Sequence, residues 1–232
     1  MLAGHYAPAF LGKTRAREAP LWALLLASQL VDVVHMILLL FGLERTTLDP
    51  TLPSNPLVIE HVPYTHSLLA AVGWAALVFV VAWKWLGSRR TALVLALVTV
   101  SHWFLDLLVH RPDLTLFGLP PKLGLGLWNH PALAQTLELA ILGASIAVYW
   151  WHIRPRPRAL AVVITLATVQ VIAIVGPPPT KIRVLAISAL VFFALVSSLG
   201  AWAELGERGE LGERGERGER GERGERGERG ER

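Results

Sequence analysis

Ser101-His102-Trp103-Phe104-Leu105-Asp106-Leu107-Leu108-Val109-His110 closes an apolar run that begins near Thr91. Helical spacing puts His102, Asp106 and His110 at i, i+4 and i+8, stacked on one face. Their neighbours are Leu, Val, Phe and Trp, so the three lie in or beside hydrocarbon. Ionisable groups are costly there unless paired, and they face a bundle interior. The stretch therefore predicts a membrane-spanning helix with a polar inner stripe. Two imidazoles and a carboxylate on one stripe also suit a divalent metal.

The remaining composition agrees. Of 232 residues 53% are hydrophobic, too many for an ordinary soluble domain. There is no Cys, so disulfides, thiolate ligands and a cysteine nucleophile are excluded. Any metal must be held by His, carboxylate and water. The net charge of +4 is shaped by the last 27 residues, which hold nine Glu and eight Arg. The other basic residues cluster in loops and form no stripe interleaved with aromatics, which argues against nucleic-acid binding.

Six apolar segments have roughly the 17–25 residues needed to cross a bilayer: 20–43, 64–86, 91–110, 131–151, 159–175 and 182–203. Pro50, Pro53 and Pro56, Gly87-Ser88, Pro112, Pro120 and Pro121, Pro155 and Pro157, and Gly176-Pro177-Pro178-Pro179 mark the breaks. The fold class is thus all-α: a polytopic transmembrane helical bundle of about six spans, with a disordered C-terminal tail. The membrane domain covers 1–205, with the polar cluster in 1–115 and scaffold spans in 131–203. The tail, 206–232, is a Gly-Glu-Arg repeat with the collagen period but no Pro, and reads as a solvated, charge-balanced segment. The first apolar run is too long for a signal-peptide core and no cleavage site follows it, so it is expected to be an uncleaved span. Lys13, Arg15, Arg17, Lys84, Arg89, Arg90, Arg154, Arg156 and Arg158 outnumber Arg45, Arg111, Lys122, Lys181 and Arg183 in the alternate loops. This bias predicts both termini in the cytoplasm. Residues 2–11 are compatible with a short interfacial or re-entrant helix.

The polar residues converge. Asp32 and His35 share a face of the first span, His61 stands just before the second, and His66 lies at its start. In the predicted topology these join His102, Asp106 and His110 in one half of the membrane. His5 joins them only if the N-terminal segment folds back into the bundle, against a simple inside start. His130 and Glu138 read as capping or interhelical groups, and His152, beside Trp150 and Trp151, as an interfacial belt.

At His61-x-x-x-Thr65-His66-Ser67 and Ser101-His102-x-x-x-Asp106, residues 1–115 resemble the bacterial inner-membrane family of predicted metal-dependent hydrolases, the YdjM-like group. That resemblance places His5, Asp32, His61, His66, His102 and Asp106 on the family's motif positions. Two positions depart from it: Val31-Asp32-Val33-Val34-His35 stands where the family has Pro-Asp-x-Asp, and Val62 stands where it has Arg.

The expected function is a membrane-bound metal-dependent hydrolase of the bacterial inner membrane. It would act on a lipid-like or membrane-delivered ester or phosphoester through a metal-activated water. The expected metal ligands are His5, Asp32, His35, His61, His66, His102, Asp106 and His110, holding zinc first and manganese second. Asp32 or Asp106, whichever is not a ligand, would act as general base. The alternative is a non-enzymatic membrane protein whose His/Asp cluster binds haem, conducts metal ions or protons, or only holds helices together.

Overall fold

A computed structural model describes residues 1–205. The tail expected to be disordered, 206–232, lies outside the described residues. The described chain is a helical bundle with two small β-hairpins at one end. Its helices are α1 (Ala7–Arg15), α2 (Leu21–Leu40), α3 (Leu68–Leu86), α4 (Arg89–Val109), α5 (Pro131–Ile153), α6 (Ala159–Val175) and α7 (Ile182–Ala203).

Local chemistry sets the helix ends. The Ser67 side chain accepts from Ala70 N and the Ser88 side chain from Thr91 N, starting α3 and α4. Gly87, at φ 70°, ends α3 in the left-handed region and turns the chain directly into α4. Pro131 opens α5, where its missing N–H costs nothing. Five of these helices are long and apolar enough to cross a membrane. The sixth expected span, α6, has 17 residues. At 1.5 Å per residue that is about 25 Å, the short edge of a crossing.

The centre of the bundle is a segment outside the six expected spans. A single 3-10 turn, Gly4–Tyr6, runs into α1, and Ala3, Tyr6, Ala9 and Phe10 are at most 1% exposed. The simple inside start is therefore corrected: the N-terminal segment folds back among α2, α4 and α5. It fits because its residues are small where helices meet. A Cβ on Gly12 would come within 3.0 Å of Val98 and 3.1 Å of Leu24. The start of this segment is buried, so its N–H groups need partners. Glu138 of α5 accepts from Leu2 N and Gly4 N, and Gln170 of α6 accepts from Ala3 N. That task explains these two buried polar residues of the scaffold helices.

α2 packs on α7 and α4, α3 on α4, and α6 on α7. The hairpins cap the end where α2 and α4 finish. One pairs β1 (Arg45–Leu48) with β2 (Leu57–His61); the other pairs β3 (Leu114–Thr115) with β4 (Lys122–Leu123). The cluster of histidines and carboxylates lies just beneath them.

Candidate metal centre

Asp106 is the hub. Its carboxylate is 2% exposed and meets four imidazoles. Oδ1 lies 3.0 Å from His5 Nε2 and 3.4 Å from His110 Nε2. Oδ2 lies 3.2 Å from His102 Nε2 and 3.7 Å from His66 Nε2. The α-amino group of Met1 is 3.4 Å from Oδ1. Asp32 approaches from α2: its Oδ1 is 3.3 Å from His66 Nε2 and 3.5 Å from His102 Nε2. At 19% its side chain is the most exposed of these acidic and imidazole groups.

The far side of each ring explains its direction. His102 Nδ1 donates to the backbone carbonyl of Ser28 at 2.9 Å. His110 Nδ1 donates to Asp113 at 2.9 Å. His66 Nδ1 donates to Thr65 Oγ1 at 2.9 Å, and that hydroxyl donates onward to Glu44 at 2.7 Å. These tautomers follow from the acceptors, and they leave Nε2 as a lone pair on all three rings. Three lone pairs thus point at two carboxylates, an arrangement that needs either extra protons or a cation. His102 Nε2 and Asp106 Oδ2 are buried without a hydrogen-bond partner; though close, they are not aligned as one. Such atoms are costly unless something else satisfies them. Ligand atoms of His66, His102 and Asp106 lie within 4.8 Å of one another, as do those of His5, Asp32 and His102. These buried groups could hold a metal ion, and the outer hydrogen bonds are those that orient imidazole ligands.

The structure therefore brings together His5, Asp32, His66, His102, Asp106 and His110. His5 arrives on the folded-back segment, its ring stacked on His102 with centroids 3.8 Å apart. His35 and His61 are placed elsewhere. His35 is buried beside His66, but both nitrogens are engaged: Nδ1 with Glu44 at 2.6 Å and Nε2 with Thr46 at 3.1 Å. That ring has no lone pair to offer. His61 ends β2, exposed at the surface. The extended strand carries it away from the turn that presents His66. His130 and His152 are also exposed, outside the cluster.

Sequence reasoning missed Glu44, Thr46 and Asp113. Glu44 is 1% exposed although it stands in a loop. Burial alone would raise its carboxyl, but hydrogen bonds from His35 and Thr65 hold it below the usual carboxylate range. No apolar periodicity surrounds it, so no pattern marks it. Asp113 carried a signal: it stands three residues after His110. The Thr-His-Ser segment is now explained residue by residue. Thr65 orients the ring, His66 presents Nε2, and Ser67 caps α3. Trp103 of α4 also donates to His66 O at 3.2 Å, tying that turn to the helix of His102.

No family model matches the chain, and neither a curated protein nor a solved structure matches it.

Proposed function

We propose that this chain is a membrane-bound metal-dependent hydrolase, acting on a lipid-like or membrane-delivered ester or phosphoester. The observation that carries the reading is the convergence of the His66, His102 and His110 Nε2 atoms on Asp32 and Asp106, each ring held from behind at Nδ1. Nitrogen and carboxylate ligands in a buried set favour zinc, with manganese second. A divalent cation there supplies Lewis-acid polarisation and activates water for attack near neutral pH.

The chain's own groups divide the remaining work. His66, His102, His110 and Asp106 form the ligand wall, and His5 closes it from the folded-back segment. Asp32 faces the accessible side and is the residue that takes the proton from the attacking water. Its position beneath an extramembrane cap, in a bundle of apolar helices, suits a substrate that arrives through the bilayer. The resemblance to the YdjM-like family supports the same chemistry, and the bacterial inner membrane is the matching location.

The test is metal analysis of the purified protein together with its visible spectrum. Stoichiometric zinc or manganese without colour supports the hydrolase, and hydrolysis of a generic ester or phosphodiester chromogen by the loaded protein completes it. A Soret band, or no bound metal, overturns it in favour of a haem protein or a purely structural cluster.

A further inference from the structure

We propose that Glu44, at the root of the first hairpin, is the positioning residue that aims His66 at the metal centre, and that His35 belongs to this anchor instead of to the ligand set. The inference rests on the metal reading above.

Glu44 accepts three hydrogen bonds, one from α2 and two from the turn before α3. Oε2 receives His35 Nδ1 at 2.6 Å and Thr65 Oγ1 at 2.7 Å; Oε1 receives Tyr64 N at 3.0 Å. One carboxylate thus ties the end of α2, the start of the hairpin and the turn before α3. The Thr65 hydroxyl has one proton. Giving it to Glu44 leaves Thr65 Oγ1 free to accept from His66 Nδ1, which fixes the tautomer with a lone pair on Nε2. His35 is fixed in turn. It donates to Glu44 through Nδ1 and accepts from Thr46 through Nε2, and its ring stands edge-on to His66 with centroids 4.9 Å apart. The hairpin therefore sets the direction of a buried imidazole through Glu44 and Thr46. Ionised partners make such hydrogen bonds short and directional.

Gln at position 44 keeps the shape but turns one acceptor into a donor facing a donor. Zinc affinity of the full chain in detergent, measured by competition with a chromophoric chelator, reads the consequence. Glu44→Gln and Thr65→Val each weaken zinc binding about 10- to 100-fold, the range for lost outer-shell partners. Thr65→Ser, which restores the hydroxyl, stays within a few-fold of the parent. The double variant Glu44→Gln/Thr65→Val is no weaker than the worse single variant, because both cut one relay. His35→Gln keeps the parent's number of bound zinc ions. Unchanged affinity in both single variants, multiplied losses in the double, or a lost ion in His35→Gln overturns the proposal while leaving the metal centre standing. A parent protein that binds no zinc overturns both. If Glu44→Gln does not fold, the Thr65 pair still decides.

Discussion

Two carboxylates enter the centre with different surroundings, and this predicts different losses. Asp106 is enclosed by four imidazoles, whereas Asp32 keeps 19% of its side chain exposed. In the proposed centre, Asp106→Asn would replace a charged ligand by a weak neutral one, so bound metal should be lost, as read by metal analysis after gel filtration. Asp32→Asn should keep metal and lose turnover by at least about 100-fold, the usual contribution of a general base. Equal metal loss in both variants would make Asp32 a ligand of the same standing. Protons compete for the same Nε2 lone pairs, so zinc affinity should fall as pH drops. Affinity flat from about pH 7 to pH 5 would argue against an imidazole set. That His5, Asp32, His66, His102, Asp106 and His110 come together was legible in the sequence because buried His and Asp have few harmless roles in hydrocarbon. His35 and His61 show the limit. Residue type and helical face cannot tell a ring whose nitrogens are spent, or one carried outward by a strand, from a ligand.

The spans were legible as elements because hydrocarbon thickness dictates their length; α1 was legible only as a short interfacial or re-entrant helix over 2–11, with its end at Arg15 missed, because no such rule governs it. It is nine residues long and carries Lys13 and Arg15 in its last turn. What admits it to the interior is neutralisation from elsewhere. Lys13 pairs with Glu204 and donates to the carbonyls of Arg17 and Ala19 at 2.8 and 2.7 Å. Glu204 also accepts from Leu21 N at 2.9 Å, so one carboxylate joins α1, α2 and α7. Glu204→Ala leaves the Lys13 ammonium without its carboxylate and should cost on the order of 3 kcal/mol, seen as a lowered melting temperature in detergent. A loss near zero would mean the contact is a solvent-screened pair. The neighbouring tie is weaker and pH-dependent. Thr91 donates to Glu18 at 2.6 Å and holds that carboxyl below its usual range. A depressed carboxyl stabilises the fold above its unfolded value and loses that contribution as pH falls through the folded one. The melting-temperature gap between the parent and Glu18→Gln should therefore be present near pH 6 and shrink as pH falls through the carboxylate range. The hairpins were hidden for another reason. Their strands are two to five residues long, and the first hairpin's loop holds Pro50, Pro53 and Pro56, which read as breaks.

At the scale of the molecule, charge and chemistry occupy opposite ends. Arg17 reaches the carbonyl of His152, Arg158 reaches that of Leu205, and Trp22 packs on Trp85. These contacts gather the loops carrying Lys13, Arg15, Arg17, Lys84, Arg89, Arg90, Arg154, Arg156 and Arg158 at one end. The opposite end holds Arg45, Arg111, Lys122, Lys181 and Arg183 together with the hairpins and the cluster. The basic excess predicts that the first end faces the cytoplasm and that the metal centre opens toward the other side. The absence of Cys makes this directly testable, since any introduced thiol is unique. Arg90→Cys and Arg154→Cys should resist a membrane-impermeant maleimide in intact cells and react after permeabilisation. Glu60→Cys and Lys122→Cys, on the exposed hairpins, should react without it. The reverse pattern would invert the bundle and place the centre on the cytoplasmic side. Mixed labelling within either pair would break the alternation of the helices themselves. Because α1 enters only part of the way from the basic end, its last turn and the centre belong to opposite faces. Thr14→Cys should therefore share the protection of Arg90→Cys, although His5, nine residues earlier, sits in the His/Asp cluster.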